Sequence, residues 1–108
     1  MFHKLEKLNF DFESTDLCKL YETGKNQKLT LPQEVIEKFM LRVECICAAN
    51  DLKDIKNDIV VDFKRIKNKN QVSLRLLDGW RMEVDLIHNG SPNKIEKILI
   101  KRILQTSN

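Results

Sequence analysis

The 108-residue sequence predicts an α+β fold: an N-terminal strand, two helices, then an antiparallel sheet. Three observations carry this. Apolar residues in the first half recur at the i, i+3, i+4 spacing of amphipathic helices. Past residue 60 the apolar period drops to two, as in half-buried strands. The length suits one domain, residues 1–108, with a modest core. At 42% hydrophobic and 32% charged, the composition is that of an ordinary soluble globule.

The elements follow in order. Leu8–Phe12 alternates apolar and polar residues and reads as a strand. Ser14 is placed as a helix N-cap with Asp16 in the first turn. Leu17, Leu20 and Tyr21 share one face of that helix, and Gly24 is suited to stop it. A polar connection, Lys25–Thr30, leads to a second helix. There Thr30 and Gln33 have capping-box spacing and Pro32 falls in the first turn. Val35, Ile36, Phe39, Met40, Val43, Ile46 and Cys47 form its apolar stripe. Asn50–Asp58 reads as a polar turn region.

Beyond it, Val61 and Phe63 alternate with Asp62 and Lys64, and 68–70 is a turn. Val72, Leu74 and Leu76 lie on one face of the next strand, and Trp80, Met82, Val84 and Leu86 on one face of its successor. A two-residue loop at Asp78-Gly79 would set Leu76 against Arg81. A three-residue loop, Leu77 to Gly79, pairs Leu76 with Trp80, Leu74 with Met82 and Val72 with Val84, and gives Gly79 the left-handed position. The latter is the expected register. It places Arg75 opposite Arg81 on the other face, where two planar forks of donors can form an anion site. Residues 92–104 fit either a helix opened by Ser91-Pro92 or a buried strand through Ile98-Leu99-Ile100.

Charge is unevenly spread. Residues 1–58 hold 9 Lys/Arg against 11 Asp/Glu, and residues 59–108 hold 10 against 5. A basic second half fits a phosphate backbone or an acidic protein partner. No apolar run approaches the ~20 residues that span a bilayer, and residues 1–10 lack the apolar stretch of a secretory signal. A cytoplasmic chain with no membrane role is expected. Cys18, Cys45 and Cys47 are expected to be small buried hydrophobes rather than disulfide partners or metal ligands.

The ordered set "LYETGKNQKLTLPQEVIEKFMLRVECICAANDLKDI", "FKRIK" and "VSLRLLDGWRMEVDL" resembles the HigB-like branch of the RelE/ParE toxin superfamily. The likeness covers roughly residues 8 to 87, and the Arg75/Trp80/Arg81 hairpin is its most specific part. It implies the same fold and favours a strand for the C-terminal run. It also implies the activity of a type II toxin–antitoxin toxin: a ribosome-associated endoribonuclease that cleaves mRNA without metal or cofactor. The implied partners are a cognate helix-turn-helix antitoxin, mRNA and the ribosome, and operator DNA through the antitoxin complex.

Carried over by position, Arg75, Arg81 and Arg65 are the implied catalytic residues. Lys64 and Lys67 flank the site without a firm counterpart in the family, and Lys101 and Arg102 are within reach from the last segment; these four are the candidate RNA-binding residues. Trp80 is a packing residue. Many members end in a His-Tyr segment, whereas this sequence reads Gln105-Thr106-Ser107-Asn108. The general acid or base is therefore unassigned: His88, by the Asn89-Gly90 turn, reads as structural or incidental, and His3 lies near the terminus. Two alternatives stay open: a non-cleaving homologue that binds antitoxin and helps repress its operon, and a ParE-like gyrase inhibitor.

Overall fold

The computed structural model describes residues 9–25, 28–68, 70–88 and 95–106. The elements run β1 (Asn9–Phe12), α1 (Thr15–Thr23), α2 (Gln33–Ala48), α3 (Leu52–Lys56), β2 (Lys64–Arg65), β3 (Gln71–Leu77), β4 (Trp80–His88) and β5 (Ile95–Gln105). The expected α+β class is correct. It is consistent with a RelE-like architecture of a strand, two principal helices and an antiparallel run. The C-terminal segment is a strand, so the open choice there resolves toward β-branched propensity. Leu8, His3 and Ser91-Pro92 lie outside the described residues.

The sheet order is β1-β5-β4-β3-β2. β1 joins β5 in parallel, with Phe10 beside Ile98 and Phe12 beside Ile100, and the remaining pairs are antiparallel. One face carries Val72, Leu74, Leu76, Met82, Val84, Leu86, Ile98 and Ile100, all buried beneath the helices with Leu17, Leu20, Val35, Phe39, Val43 and Ile46. Trp80 packs at the edge of this core. Phe10, Phe12, Tyr21 and Phe39 form an aromatic group at the β1 end, Phe10 and Phe12 meeting edge to face at 5.8 Å.

Local signals acted largely as read. Ser14 caps α1, its hydroxyl accepting from the Leu17 amide, and Gly24 closes it at φ 74°. α2 departs from its expected start. Its N-cap is Pro32, with no side-chain cap bond, and the Thr30–Gln33 box does not form. The stretch read as a turn between Asn50 and Asp58 contains α3, capped by the Asp51 side chain accepting from the Asp54 amide. The cysteines are also not buried: Cys18 and Cys45 are half-exposed and Cys47 is exposed. The α2 stripe centres on Val35, Phe39 and Ile46, and Cys47 rotates 100° past Ile46 to the outer side.

The β3–β4 register gives Val72↔Val84, Leu74↔Met82 and Arg75↔Arg81, as expected. The end of the hairpin differs. Leu77, not Leu76, pairs with Trp80, and the register shifts between Arg75 and Leu77. The loop is Asp78-Gly79, with Gly79 at φ 81°. A bulge absorbs the extra residue, so Leu76 stays 2% exposed in the core without displacing Arg75 to the wrong face. No described helix is long and apolar enough to cross a membrane. Phe39 is fully buried; Phe39→Ala should therefore lower unfolding free energy by about 3–5 kcal/mol, read as a lower urea midpoint.

Candidate nucleic-acid interface on the open sheet face

The second face of the sheet is polar. Side-chain alternation places Lys64 (β2), Ser73 (β3), Glu83 (β4) and Arg102 (β5) in one row across four strands, because Lys64 pairs with Ser73, Ser73 with Glu83, and Glu83 with Arg102. The next row holds Arg75 and Arg81. Arg65 pairs with Val72, which faces the helices. Arg65 therefore leaves the open face, lying over the Phe63 ring at 5.3 Å. The expected trio of Arg75, Arg81 and Arg65 does not assemble, and Lys64 takes the third place.

Arg75 and Arg81 share a register position, but their guanidinium groups diverge. Like charges facing across two strands repel, and each has its own carboxylate. Arg81 lies over β3 with 15% of its side chain exposed. Its Nε donates to the Ser73 hydroxyl, and its terminal nitrogens donate to the Ser73 carbonyl (3.0 Å), the Asp62 carboxylate (3.0 Å) and the Asp62 carbonyl. Arg81 is thus a strut between sheet and turn. The expectation that it projects into solvent to grip phosphate is not met. Arg75 is 40% exposed and pairs with the exposed Asp78 at the loop. An exposed pair of this kind is worth only about 0–1 kcal/mol, so a phosphate can displace the carboxylate.

Asp62 sits at φ 47°, the one non-glycine residue at positive φ among those described. Its neighbour Val61 is 1% exposed and fixes the turn to the core. Donation from Arg81, aided by the Lys64 and Arg81 charges, holds the Asp62 carboxyl below its usual range against some desolvation. Lys64 Nζ lies 3.6 Å from Asp62. Asp62, Lys64, Arg75, Asp78 and Arg81, with Leu77, Gly79 and Thr106, line a shallow cleft of about 360 Å³ at the hairpin end.

A second cleft of about 240 Å³ is lined in part by Lys67, Lys101 and Arg102 with Glu83 and Asp85. Here the sheet bulges again: Glu83 pairs with Arg102 and Val84 with Ile100, leaving Lys101 unopposed. Lys101 is pinned by Glu13 (3.0 Å) and Asp85 (3.4 Å). Glu13 above all, then Asp85, raises its pKa. Arg102 lies 3.4 Å from Glu83 and is more than half exposed. Lys101 is therefore tied down, whereas Arg102 can turn outward.

His88 lies at the far end of β4, roughly 26 Å along the strand from Trp80, its Nε2 at 2.8 Å from the Asn70 side-chain oxygen. It is remote from the hairpin cleft. Among the described residues no group of three His, Cys, Asp or Glu is arranged to hold a metal. The sequence reading missed Arg42, a 5% exposed cation on α2 whose Nε donates to the Arg75 carbonyl at 2.7 Å. Its signal was available: Arg42 follows Phe39 by three and precedes Ile46 by four, a core position of the stripe. A scan against protein-family models and a search of curated proteins each find no match for this chain.

Two outcomes follow from this geometry. Arg81→Ala removes the bonds to the Ser73 hydroxyl and to Asp62 and should lower the urea midpoint measurably, whereas Arg75→Ala, which loses only an exposed pair, should cost under about 1 kcal/mol. Because the folded pKa of Asp62 is depressed, its stabilisation is present above the ordinary carboxylate range and is lost as pH falls through the folded value. The urea midpoint of the wild type should therefore decline below about pH 4, and Asp62→Asn should flatten that decline.

Proposed function

We propose that this chain is the toxin of a type II toxin–antitoxin pair, an endoribonuclease that grips an RNA strand along the open sheet face and cleaves mRNA on the ribosome. The observation that carries the reading is the hairpin-end cleft, where Arg75 and Lys64 present exposed cations on adjacent strands over a bonded floor made by Arg81. The topology supports it, as does the resemblance of the Arg75/Trp80/Arg81 hairpin to the RelE/HigB pattern. The second cleft offers further cations, Lys67 and Arg102, for another phosphate.

In this reading the RNA's own 2′-hydroxyl attacks the adjacent phosphorus in line, forming a 2′,3′-cyclic phosphate as the P–O5′ bond breaks, and the departing 5′-oxygen takes a proton from water. Arg75 and Lys64 neutralise the charge that builds on the non-bridging oxygens. Asp62, held ionised, receives the hydroxyl proton. Its lowered pKa makes it a weak base, so the rate rests mainly on charge stabilisation. Arg81 acts by holding Asp62 and the cleft floor.

One observation favours a second reading. The Arg81 donors are turned inward, which suits a homologue that binds an acidic antitoxin segment without cleaving RNA. Induction in cells lacking antitoxin separates the two. The toxin should halt translation and yield cut mRNA, and Arg75→Ala, which stays folded, should slow cleavage of a purified RNA about 10²–10³-fold. Equal growth of cells expressing the wild type and Arg75→Ala rejects the nuclease.

A further inference from the structure

The position of Arg75 is not set by the sheet alone. Its N–H donates to the Val61 carbonyl at 2.7 Å. On the register that pairs Lys64 with Ser73, the next ladder donor to the Arg75 carbonyl would be the Asp62 N–H. It is turned into its own loop and donates to the Ile59 carbonyl at 3.2 Å, as the Val61 N–H does to the Asp58 carbonyl at 3.1 Å. The Arg75 carbonyl is thereby deprived of its ladder donor at the residue where β3 begins to bulge. A buried carbonyl without a partner is costly. Arg42 reaches from α2, through the core, and supplies the bond from Nε at 2.7 Å.

We infer that Arg42 is a positioning residue for RNA binding: it locks the bulged backbone of Arg75 and so aims the Arg75 guanidinium into the hairpin-end cleft. Three observations point the same way. Arg42 is one of two buried polar or charged residues among those described, the other being Ser73. A cation in an apolar stripe is retained only where it meets a specific acceptor. The acceptor it meets is the main chain of the most exposed arginine in the cleft. The inference rests on the proposed role of Arg75 in holding RNA backbone.

The side chains of Gln and Met make the test sharp. Gln carries Nε2 at the same bond count from the backbone as Arg Nε, so Arg42→Gln keeps the donor and loses the charge. Met has similar length and no donor. Binding of a single-stranded oligouridine is measured for each variant, alone and combined with Arg75→Ala. Arg42→Met should weaken binding about tenfold, Arg42→Gln should restore most of it, and Arg42→Met should add little loss in the Arg75→Ala background. An undiminished tenfold loss in that background, or a folded Arg42→Met that binds like wild type, overturns the inference. Should Arg42→Met not fold, the wild-type chain decides by NMR. The Nε–H resonances of Arg42 and Arg75 should then shift with the same RNA midpoint, and an unmoved Arg42 resonance rejects the role. If Arg75→Ala itself binds RNA unchanged, the proposed function falls rather than the link to Arg42.

Discussion

The Arg81 guanidinium, laid across β3 onto Ser73 and Asp62, is the contact on which the open face depends. It joins the sheet to a turn that is also held by the buried side chain of Val61 and by the Arg75 N–H donating to the Val61 carbonyl. It also stabilises a non-glycine residue in a left-handed conformation, which ordinarily costs about 1–2 kcal/mol. A planar group with donors on three nitrogens can satisfy a hydroxyl, two carbonyls and a carboxylate together, whereas a lysine ammonium at the same position cannot span them. The cleft beside it therefore has a bonded floor and exposed walls. Arg75 and Lys64 supply the adaptable charge, and Arg81 supplies the geometry.

Much of the fold was legible because its signals are local. The helical stripe of α2 apart from Cys47, the Ser14 and Gly24 caps and the alternation through the middle of β3 and β4 each act within a few residues, and each came out as read. The hairpin register was legible in its middle, where apolar pairs decide it. It was misread at its end, where a bulge allowed Leu77 to face Trp80 while Leu76 stayed in the core. A bulge costs little and leaves no mark in the alternation of side chains, so pairing rules alone pass over it. The start of α2 was misplaced for a related reason. Pro32 already fixes a suitable φ, and a side-chain cap was not required there.

The site was legible in part. Reading the face of each β3 and β4 residue put Arg75 and Arg81 together correctly. It could not reveal where their side chains would turn, because Asp62 and Asp78 lie in turns whose shapes are tertiary. Arg65 was misassigned because β2 is only two residues long, and its register follows from its pairing with β3 rather than from any alternation of its own. The buried Arg42 was the stronger omission. An arginine at the centre of an apolar stripe is a local conflict of the kind that marks a specific tertiary bond.

The parallel pairing of β1 with β5 has a kinetic consequence. Phe10 and Ile98 stand 88 positions apart, yet they are neighbours in the sheet. During synthesis the first strand leaves the ribosome long before the strand that will shelter it, and its Phe10 and Phe12 rings must find temporary cover against α1 and α2. Closure of so long a loop comes late and slows folding relative to a helical bundle of similar size. The nascent chain would thus expose an unpaired strand edge until the last strand is made, the interval in which a chaperone or a waiting binding partner would act on it.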